Sequence, residues 1–352
     1  MKNILVIYPE YSEGITGGQV YDKMFIESLR KDERFHVDFL LDKDLCTTKK
    51  YLYSFAYIFK LNKCRKYDYI LTNSRLYTRL FALFLLLRLF RIKTYSIHHH
   101  FNFEGEVGFK RFIHKTLELL FLRTSTATII PSPYVKDRFG VLLPNSKIIY
   151  VPLGVKKAAA KDITPRDIKE ELNMLYVGTI ERRKGLLYLI ESLKLFSNRN
   201  KAYKCHIVGK VLEEDYKAEI DRKIKEYNLA DNIIFHGRLS NQELDDIYSN
   251  ADMFVFPSML EGYGMVLLEA MSYSLPIVAF DNSAMPYTVK TGETGILVEN
   301  KNIEKFAEAI QKLAEDKEYY DAIVTNTKKI YSSIRTEEDL QADIYKTIDT
   351  LF

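Results

Sequence analysis

Two glutamates separated by a glycine-rich turn have the types and spacing to hold a long polar ligand. They frame the segment EGYGMVLLEAM, Glu261–Met271. It follows MFVFPS, an apolar run that reads as a buried strand ending in a turn. Gly262 and Gly264 let backbone approach a ligand closely. The helix that begins near Met265 starts with free N–H groups suited to phosphate or sugar oxygens. That helix is apolar nearly all round, which predicts burial. A buried Glu269 then needs a polar partner, and two ribose hydroxyls would serve. Glu261 lies eight residues earlier, a distance of ~12 Å if the segment is helical throughout. Carboxylates so placed touch different parts of one ligand. The plain alternative is a surface loop glutamate and a structural hydrogen-bonder.

A second candidate is VGTIERRKG, Val177–Gly185, a strand delivering a basic loop that opens a helix. Arg183 can grip a phosphate with two parallel hydrogen bonds, and Lys184 supplies a point charge. Such charge suits a diphosphate that departs when a glycosidic bond breaks. Arg182 competes for the role, and a solvated basic loop is the alternative. A third is GITGGQVYDKM, Gly14–Met24, a glycine-rich turn entering a helix, which is a phosphate cradle or a mere turn. A fourth is YSIHHHF, Tyr95–Phe101, three histidines at a strand end. Neighbouring strand side chains point to opposite faces, so the three do not converge on one metal. No metal site is expected anywhere. Gly209 and the pair Gly237 and Arg238 follow later strands and are lesser candidates.

These residues need elements to position them, and strands alternate with helices along the chain. In the first half, strands are predicted at Lys2–Tyr8, Phe35–Leu41, Tyr69–Thr72, Thr94–His98, Ala127–Pro131 and Lys147–Val151. Helical spacing over Val20–Leu29 follows the first of them. Residues Pro152–Pro165, with Gly154, three alanines and several lysines, read as a linker. The second half repeats the pattern, with strands at Met174–Val177, Lys204–Val208, Ile233–His236, Met253–Pro257 and Ile277–Phe280. A helix over Leu186–Phe196 follows the basic loop. Each half is therefore a doubly wound α/β domain. A polar terminal helix spans Thr336–Phe352, with Leu340, Ile344, Ile348 and Leu351 on one side.

The 352 residues suit two domains, and 47% hydrophobic with 28% charged residues is a globular composition. Charge is uneven. Residues through Asp162 hold about 27 basic and 15 acidic side chains, and the remainder about 24 and 32. The first half is thus suited to an anionic partner. Arg75–Lys93, Lys49–Lys66 and Gly108–Arg123 mix basic and apolar residues and could lie on an anionic membrane surface. For the apolar run Leu80–Leu87 the sequence favours the core. It is also too short to cross a bilayer, which takes ~20 residues. Cys46, Cys64 and Cys205 are widely spaced and read as reduced thiols. MKNILVIYPE lacks the pattern of a signal peptide, and no nucleic-acid motif is present.

The second half resembles family 4 retaining glycosyltransferases, which have the GT-B fold. The resemblance rests on the Glu261–Glu269 motif, on HGRLSNQELDDIYSNADMFVFPS before it, and on SLPIVAF and TGETGILV after it. It implies an α/β chain of GT-B type, two Rossmann-like domains with a cleft between them. The expected domains are 1–155 for the acceptor, 166–335 for the nucleotide-sugar donor, and a helix 336–352 packing back on the first. By resemblance, Glu261 and His98 position the transferred sugar, with His99 or His100 as substitutes for His98. Gly262, Tyr263, Gly264 and Met265 meet sugar and phosphate, and Glu269 holds the ribose. Gly178, Arg183 and Lys184 bind the pyrophosphate. Gly17 and Gly18 match the family's double glycine, and Gly209, Gly237 and Arg238 flank the nucleobase. There are departures: Thr179 replaces a common arginine, Leu153 replaces an asparagine, and a glycine pair and glutamate are missing at Ser283–Tyr287.

The implied function is retaining, metal-independent transfer of a hexose or N-acetylhexosamine. The donor is a nucleotide-diphosphate sugar, UDP favoured and GDP possible, acting as co-substrate, with no cofactor. The acceptor is a glycan or a lipid-linked sugar. The expected setting is the cytoplasm, peripheral on the inner face of the membrane. The rival readings are a degenerate non-catalytic subunit and a GT-B nucleotide-sugar epimerase.

Overall fold

A computed structural model describes residues 1–9, 17–41, 61–155, 171–197 and 202–352. Most of Gly14–Gly18, Lys49–Lys60, Cys46 and the linker beyond Val155 fall outside these. The chain divides into two units, Met1–Gly154 with Arg335–Phe352, and Val155–Ile334.

Unit 1 holds a sheet of strands β1 (Lys2–Tyr8), β2 (Phe35–Leu41), β3 (Tyr69–Asn73), β4 (Lys93–Ile97), β5 (Ala127–Ile130) and β6 (Ile148–Tyr150). Their order is β2-β1-β3-β4-β5-β6, and every pairing is parallel. Helices cover such sheets on both faces, so central strands are apolar throughout. Ile4, Leu5, Val6 and Ile7 are accordingly all buried. In the helix Tyr77–Leu89, Leu80, Leu83, Phe84 and Leu87 recur at helical spacing and enter the core. Leu85 and Leu89 face outward. Half of the run Leu80–Leu87 is thus buried core, and Phe81 packs against it. The helix Glu337–Leu351 belongs to this unit and packs on the helix Gly17–Lys31. A capping box of Thr336 and Asp339 starts it. Gly154 lies against the carbonyl of Thr336, where any side chain would collide. Leu153, a departure from the family pattern, is buried.

Unit 2 holds β7 (Glu171–Val177), β8 (Ala202–Val208), β9 (Ile233–Gly237), β10 (Met253–Phe256), β11 (Ile277–Asp281) and β12 (Gly295–Glu299). The order is β12-β11-β10-β7-β8-β9, again all parallel. The first strand of the unit is therefore central, the Rossmann arrangement, and the strand order reverses between β7 and β10. Ligands of such sheets bind beyond the carboxyl ends of the strands at that point. β12 was not among the predicted strands. It is an edge strand, half-buried at Ile296 and Leu297 and so weakly patterned. Predicted strand ends elsewhere differ by a few residues at most, largest at β7, which begins three residues before Met174. No helix of the described residues is long and apolar enough to cross a membrane.

Candidate active site

The two loops at the reversal point of unit 2 are joined by backbone. β7 runs into Gly178, a single turn at Arg182–Lys184, then Gly185 and the helix Leu186–Ser197. Gly185 has φ 69°, and a Cβ there would collide with the carbonyl of Pro257. Glycine at this position satisfies both constraints. The N–H of Met259 donates to the carbonyl of Arg183 at 2.9 Å, fixing the β10 loop against the β7 loop.

This approach brings Glu261, Arg183 and Lys184 together. Glu261 is 8% exposed. Its Oε1 accepts from Lys184 Nζ, from Ser258 Oγ at 2.8 Å and from Arg183 Nη1 at 3.3 Å. No hydrogen bond among the described residues reaches Oε2. Burial alone would raise the carboxyl pKa; Lys184, then Arg183, and the hydrogen bonds outweigh it and hold the group below the ordinary glutamate range. The backbone of Glu261 is pinned from a third loop. Its N–H donates to Ser283 Oγ at 2.9 Å, and its carbonyl accepts from Ala284 N–H at 3.3 Å. Ser283 has φ 45°, a conformation glycine adopts more readily. Its support of Glu261 is a role that only the structure discloses.

Arg183 is held by its own chain. Its guanidinium donates to the Leu260 carbonyl at 2.6 Å and to Glu181 Oε1 at 2.8 Å. Glu181 also accepts from Thr179 Oγ1 at 2.7 Å, so Thr179 buttresses the carboxylate that occupies Arg183. Arg182 faces away, paired with Glu213, Asp215 and Glu219. Of the two candidate arginines, Arg183 alone stands at the glutamate.

Glu261 to Gly264 is loop, and the helix runs only from Met265 to Ser272. Gly264, with φ 81°, occupies the cap position and offers no side-chain cap to the N–H groups behind it. The expectation of an all-round buried helix is corrected. Leu267, Leu268, Ala270 and Met271 are buried, but Glu269 is exposed and Met265, Val266 and Ser272 are half-buried. Those four share one side of the helix, which is therefore open. Glu269 accepts from the buried Tyr248 hydroxyl at 3.2 Å. Surrounding protein still strips enough water from the carboxylate to raise its pKa, a shift the Tyr248 hydrogen bond partly offsets. Gly262 and Tyr263 are half-buried on the same loop.

Gly178, Gly209 and Gly237 end three adjacent strands. Gly178 N–H donates to Val208 and Gly209 N–H to the Gly237 carbonyl, at 2.9 and 2.8 Å. A side chain on Gly209 would strike the carbonyl of Gly178, so this contact explains that glycine without a ligand. Gly237 has φ 64° and open space beside it, and Arg238 is exposed. Tyr287 is likewise exposed.

In unit 1, Gly17 and Gly18 begin the helix Gly17–Lys31. His98, expected by resemblance to position the sugar, is enclosed, and its Nε2 has no hydrogen-bond partner among the described residues. β4 ends at Ile97, one residue earlier than predicted, and His98 is 0% exposed. Its Nδ1 pairs with Ser74 Oγ at 2.7 Å, and its ring packs on Phe101 and Phe139. Burial, with small contributions from His100 and His99, drives its pKa well below the ordinary range. His99 points elsewhere, to Asp22 at 2.7 Å, and is the half-buried one. Alternation at the strand end separates the two rings. Among the described residues no group of three His, Cys, Asp or Glu side chains is placed to hold a metal ion.

Comparison with known proteins agrees with this architecture. Residues 160–330 match the family "Glycosyl transferases group 1". A capsular polysaccharide biosynthesis glycosyltransferase, CapM of Staphylococcus aureus, is 27% identical over 251 residues, 68% of this chain and 65% of that protein. The match thus spans just under two thirds of that relative. Sucrose-phosphate synthase from Thermosynechococcus elongatus superimposes with TM-score 0.78 at 20% identity, covering 100% of this chain and 99% of that one. Anabaena HepE in complex with UDP and glucose gives TM-score 0.76 at 17% identity over 100% of both chains. Both structures share the fold of two six-stranded parallel sheets, that of GT-B proteins. The match to group 1 glycosyltransferases thus covers the unit that carries Lys184, Glu261 and Glu269.

Proposed function

We propose that the protein is a family 4 retaining glycosyltransferase that moves a hexose or N-acetylhexosamine from a nucleotide-diphosphate sugar to a glycan or lipid-linked acceptor. The observation that carries this is the joined pair of loops at the strand reversal of unit 2. They set Arg183, Lys184 and Glu261 beside a helix start without a side-chain cap and a helix side that exposes Glu269. The helix start and Arg183 and Lys184 meet the diphosphate, which needs no metal for charge compensation in this scheme. Glu269 takes ribose hydroxyls, and Oε2 of Glu261 takes a sugar hydroxyl. In the reaction, the bond from the anomeric carbon to the β-phosphate oxygen breaks. The acceptor oxygen bonds to that carbon on the same face, and its proton passes to the departing phosphate. UDP is the favoured nucleotide, on family frequency and on the UDP bound by HepE.

The acceptor side of the proposal includes an anionic lipid surface. The first turns of the helix Gly108–Thr124 stand clear of the core, with Phe109 77% and Phe112 65% exposed. Val107 and Ile113 join them, and Lys110, Arg111 and Lys115 lie between. Basic and apolar groups so mixed favour anionic membranes. Vesicle co-sedimentation tests this. Vesicles with phosphatidylglycerol should retain the protein, and Phe109→Ser with Phe112→Ser should release it. Equal recovery of both proteins would sink the idea.

The donor is tested by thermal shift with UDP, GDP, ADP and their sugars, since a ligand of the native state raises apparent stability. One nucleotide series should shift the protein, less so in Glu269→Ala and Lys184→Ala. Product analysis by NMR should then show a retained anomeric configuration. No shift with any nucleotide in folded protein favours a non-catalytic subunit. A free epimerised nucleotide sugar as product favours an epimerase.

A further inference from the structure

Tyr248 is the buried residue of the helix Asn241–Asn250 in unit 2. A capping box of Ser240 and Glu243 fixes the start of that helix. Leu244, Ile247 and Tyr248 follow at helical spacing and turn one side to the core of the unit. The Tyr248 ring is held by other rings. It stacks on Tyr273, with centroids 4.9 Å apart and planes 6° from parallel, and lies 6.1 Å from Phe254 at 21°. Tyr273 directly follows the helix Met265–Ser272, and its hydroxyl donates to Asp245 on the helix of Tyr248. The stack and this hydrogen bond thus lock the two helices together.

A hydroxyl buried as deeply as that of Tyr248, a residue 2% exposed, needs a partner. It has one hydrogen to donate and gives it to Oε2 of Glu269 at 3.2 Å. No hydrogen bond among the described residues reaches Oε1 of Glu269. Nor does a cation support this carboxylate, since loss of water raises its pKa and only the Tyr248 hydrogen bond opposes the rise. Glu269 is the fifth residue of its helix. It therefore lies ~6 Å along the axis from Met265 and nearly on the same side. A ligand whose phosphate meets the helix start presents its next polar groups to Glu269.

We propose that Tyr248 is a positioning residue for the donor nucleotide: its hydroxyl holds Oε2 of Glu269 and leaves Oε1 to accept from the ribose hydroxyls. The role rests on the reading of Glu269 as the ribose anchor. A merely structural tyrosine would fill the core and satisfy its own hydroxyl, with no influence on what Glu269 binds.

Calorimetric titration separates the two. The ligands are the one of UDP, GDP and ADP that binds, and its 2′,3′-dideoxy form, which lacks both ribose hydroxyls. The proteins are the wild type, Tyr248→Phe, Glu269→Gln and the double variant. The wild type should prefer the ribonucleotide roughly ten- to a hundredfold, the size of a hydrogen bond to a charged group. In Tyr248→Phe, which keeps the ring stack, that preference should shrink about three- to tenfold. The change should come from the ribonucleotide alone, with the dideoxy form bound as before. On the Glu269→Gln background, adding Tyr248→Phe should change neither affinity. A disturbed fold weakens both ligands alike, so an unchanged preference in Tyr248→Phe overturns the proposal. Equal binding of both ligands by the wild type overturns it as well, and leaves the donor reading in place. Folded wild type that binds none of the three nucleotides removes the proposal and the donor reading together. Should Tyr248→Phe not fold, a crystal structure of the wild-type nucleotide complex decides. Oε2 on Tyr248 with Oε1 on a ribose hydroxyl is expected, and a Glu269 that leaves Tyr248 on binding overturns the proposal.

Discussion

Lys184 donates to Oε1 of Glu261, across two loops that follow β7 and β10. The residues are 77 apart in sequence, and their side chains are 13% and 10% exposed. A buried pair of this kind is costly to break because one charge is left without compensation. Lys184→Met keeps an apolar stem of similar length and removes the ammonium, which also stands over the Phe256 ring. It should cost about 3 kcal/mol in urea unfolding. The pH dependence has a definite sign. The folded-state pKa of Glu261 is lowered, so its stabilisation is present above the unfolded pKa and lost as pH falls through the folded one. Without Lys184 the folded pKa rises, and the acid loss should begin at higher pH. Unchanged acid unfolding in the variant would contradict the assigned pair.

Gly185 controls whether those loops meet. Its φ of 69° and its contact with the Pro257 carbonyl both exclude a side chain. Gly185→Ala should destabilise unit 2 by about 2 kcal/mol or more. It should also weaken nucleotide binding, because Lys184 moves with it. A variant with wild-type unfolding and wild-type UDP shift would show that the loop relaxes freely.

Under the proposed function, a donor phosphate competes with Glu181 for Arg183. Glu181 holds Arg183 at 2.8 Å. Replacing it, as in Glu181→Gln, leaves the guanidinium with a neutral partner and raises local positive charge. The affinity for UDP should rise about three- to tenfold, an effect that shrinks with added salt. Calorimetric titration at two salt concentrations measures it. Weaker binding in the variant would mean that Glu181 orients Arg183 toward the ligand instead.

Glu118 links stability of unit 1 to pH. It is 0% exposed and caps Asn102 and Phe103, accepting from both backbone N–H groups and from Asn102 Nδ2. Burial outweighs these bonds and lifts its pKa from 4.5 to about 7. The folded state therefore retains a proton that the unfolded state releases between these values. Stability from this group is present below the unfolded pKa and falls as pH rises to about 7, by roughly 3 kcal/mol in all. Glu118→Gln should flatten that decline when unfolding midpoints at pH 5 and pH 7.5 are compared. Parallel curves for both proteins would exclude Glu118 as its source.

Local pattern and chain order carried much of this protein. Apolar runs of strand length between helical repeats disclose two parallel α/β units, because a sheet covered on both faces must be apolar along its strands. The segment from Glu261 to Glu269 discloses a glycine-bearing turn into a helix, because glycine freedom and a helix start are local properties. Other features arose only from contacts between distant residues. His98 and His99 are adjacent in sequence, yet a strand that ends one residue early buries one and pairs the other with Asp22. Arg182 and Arg183 are chemically alike, and only the surrounding carboxylates assign them opposite directions. Glu269 is open because the neighbours of its helix cover one side and leave the other. Ser283 supports Glu261 from a loop 22 residues away. Sequence spacing sets which side chains share an element, whereas the packing of separate elements sets what each side chain meets.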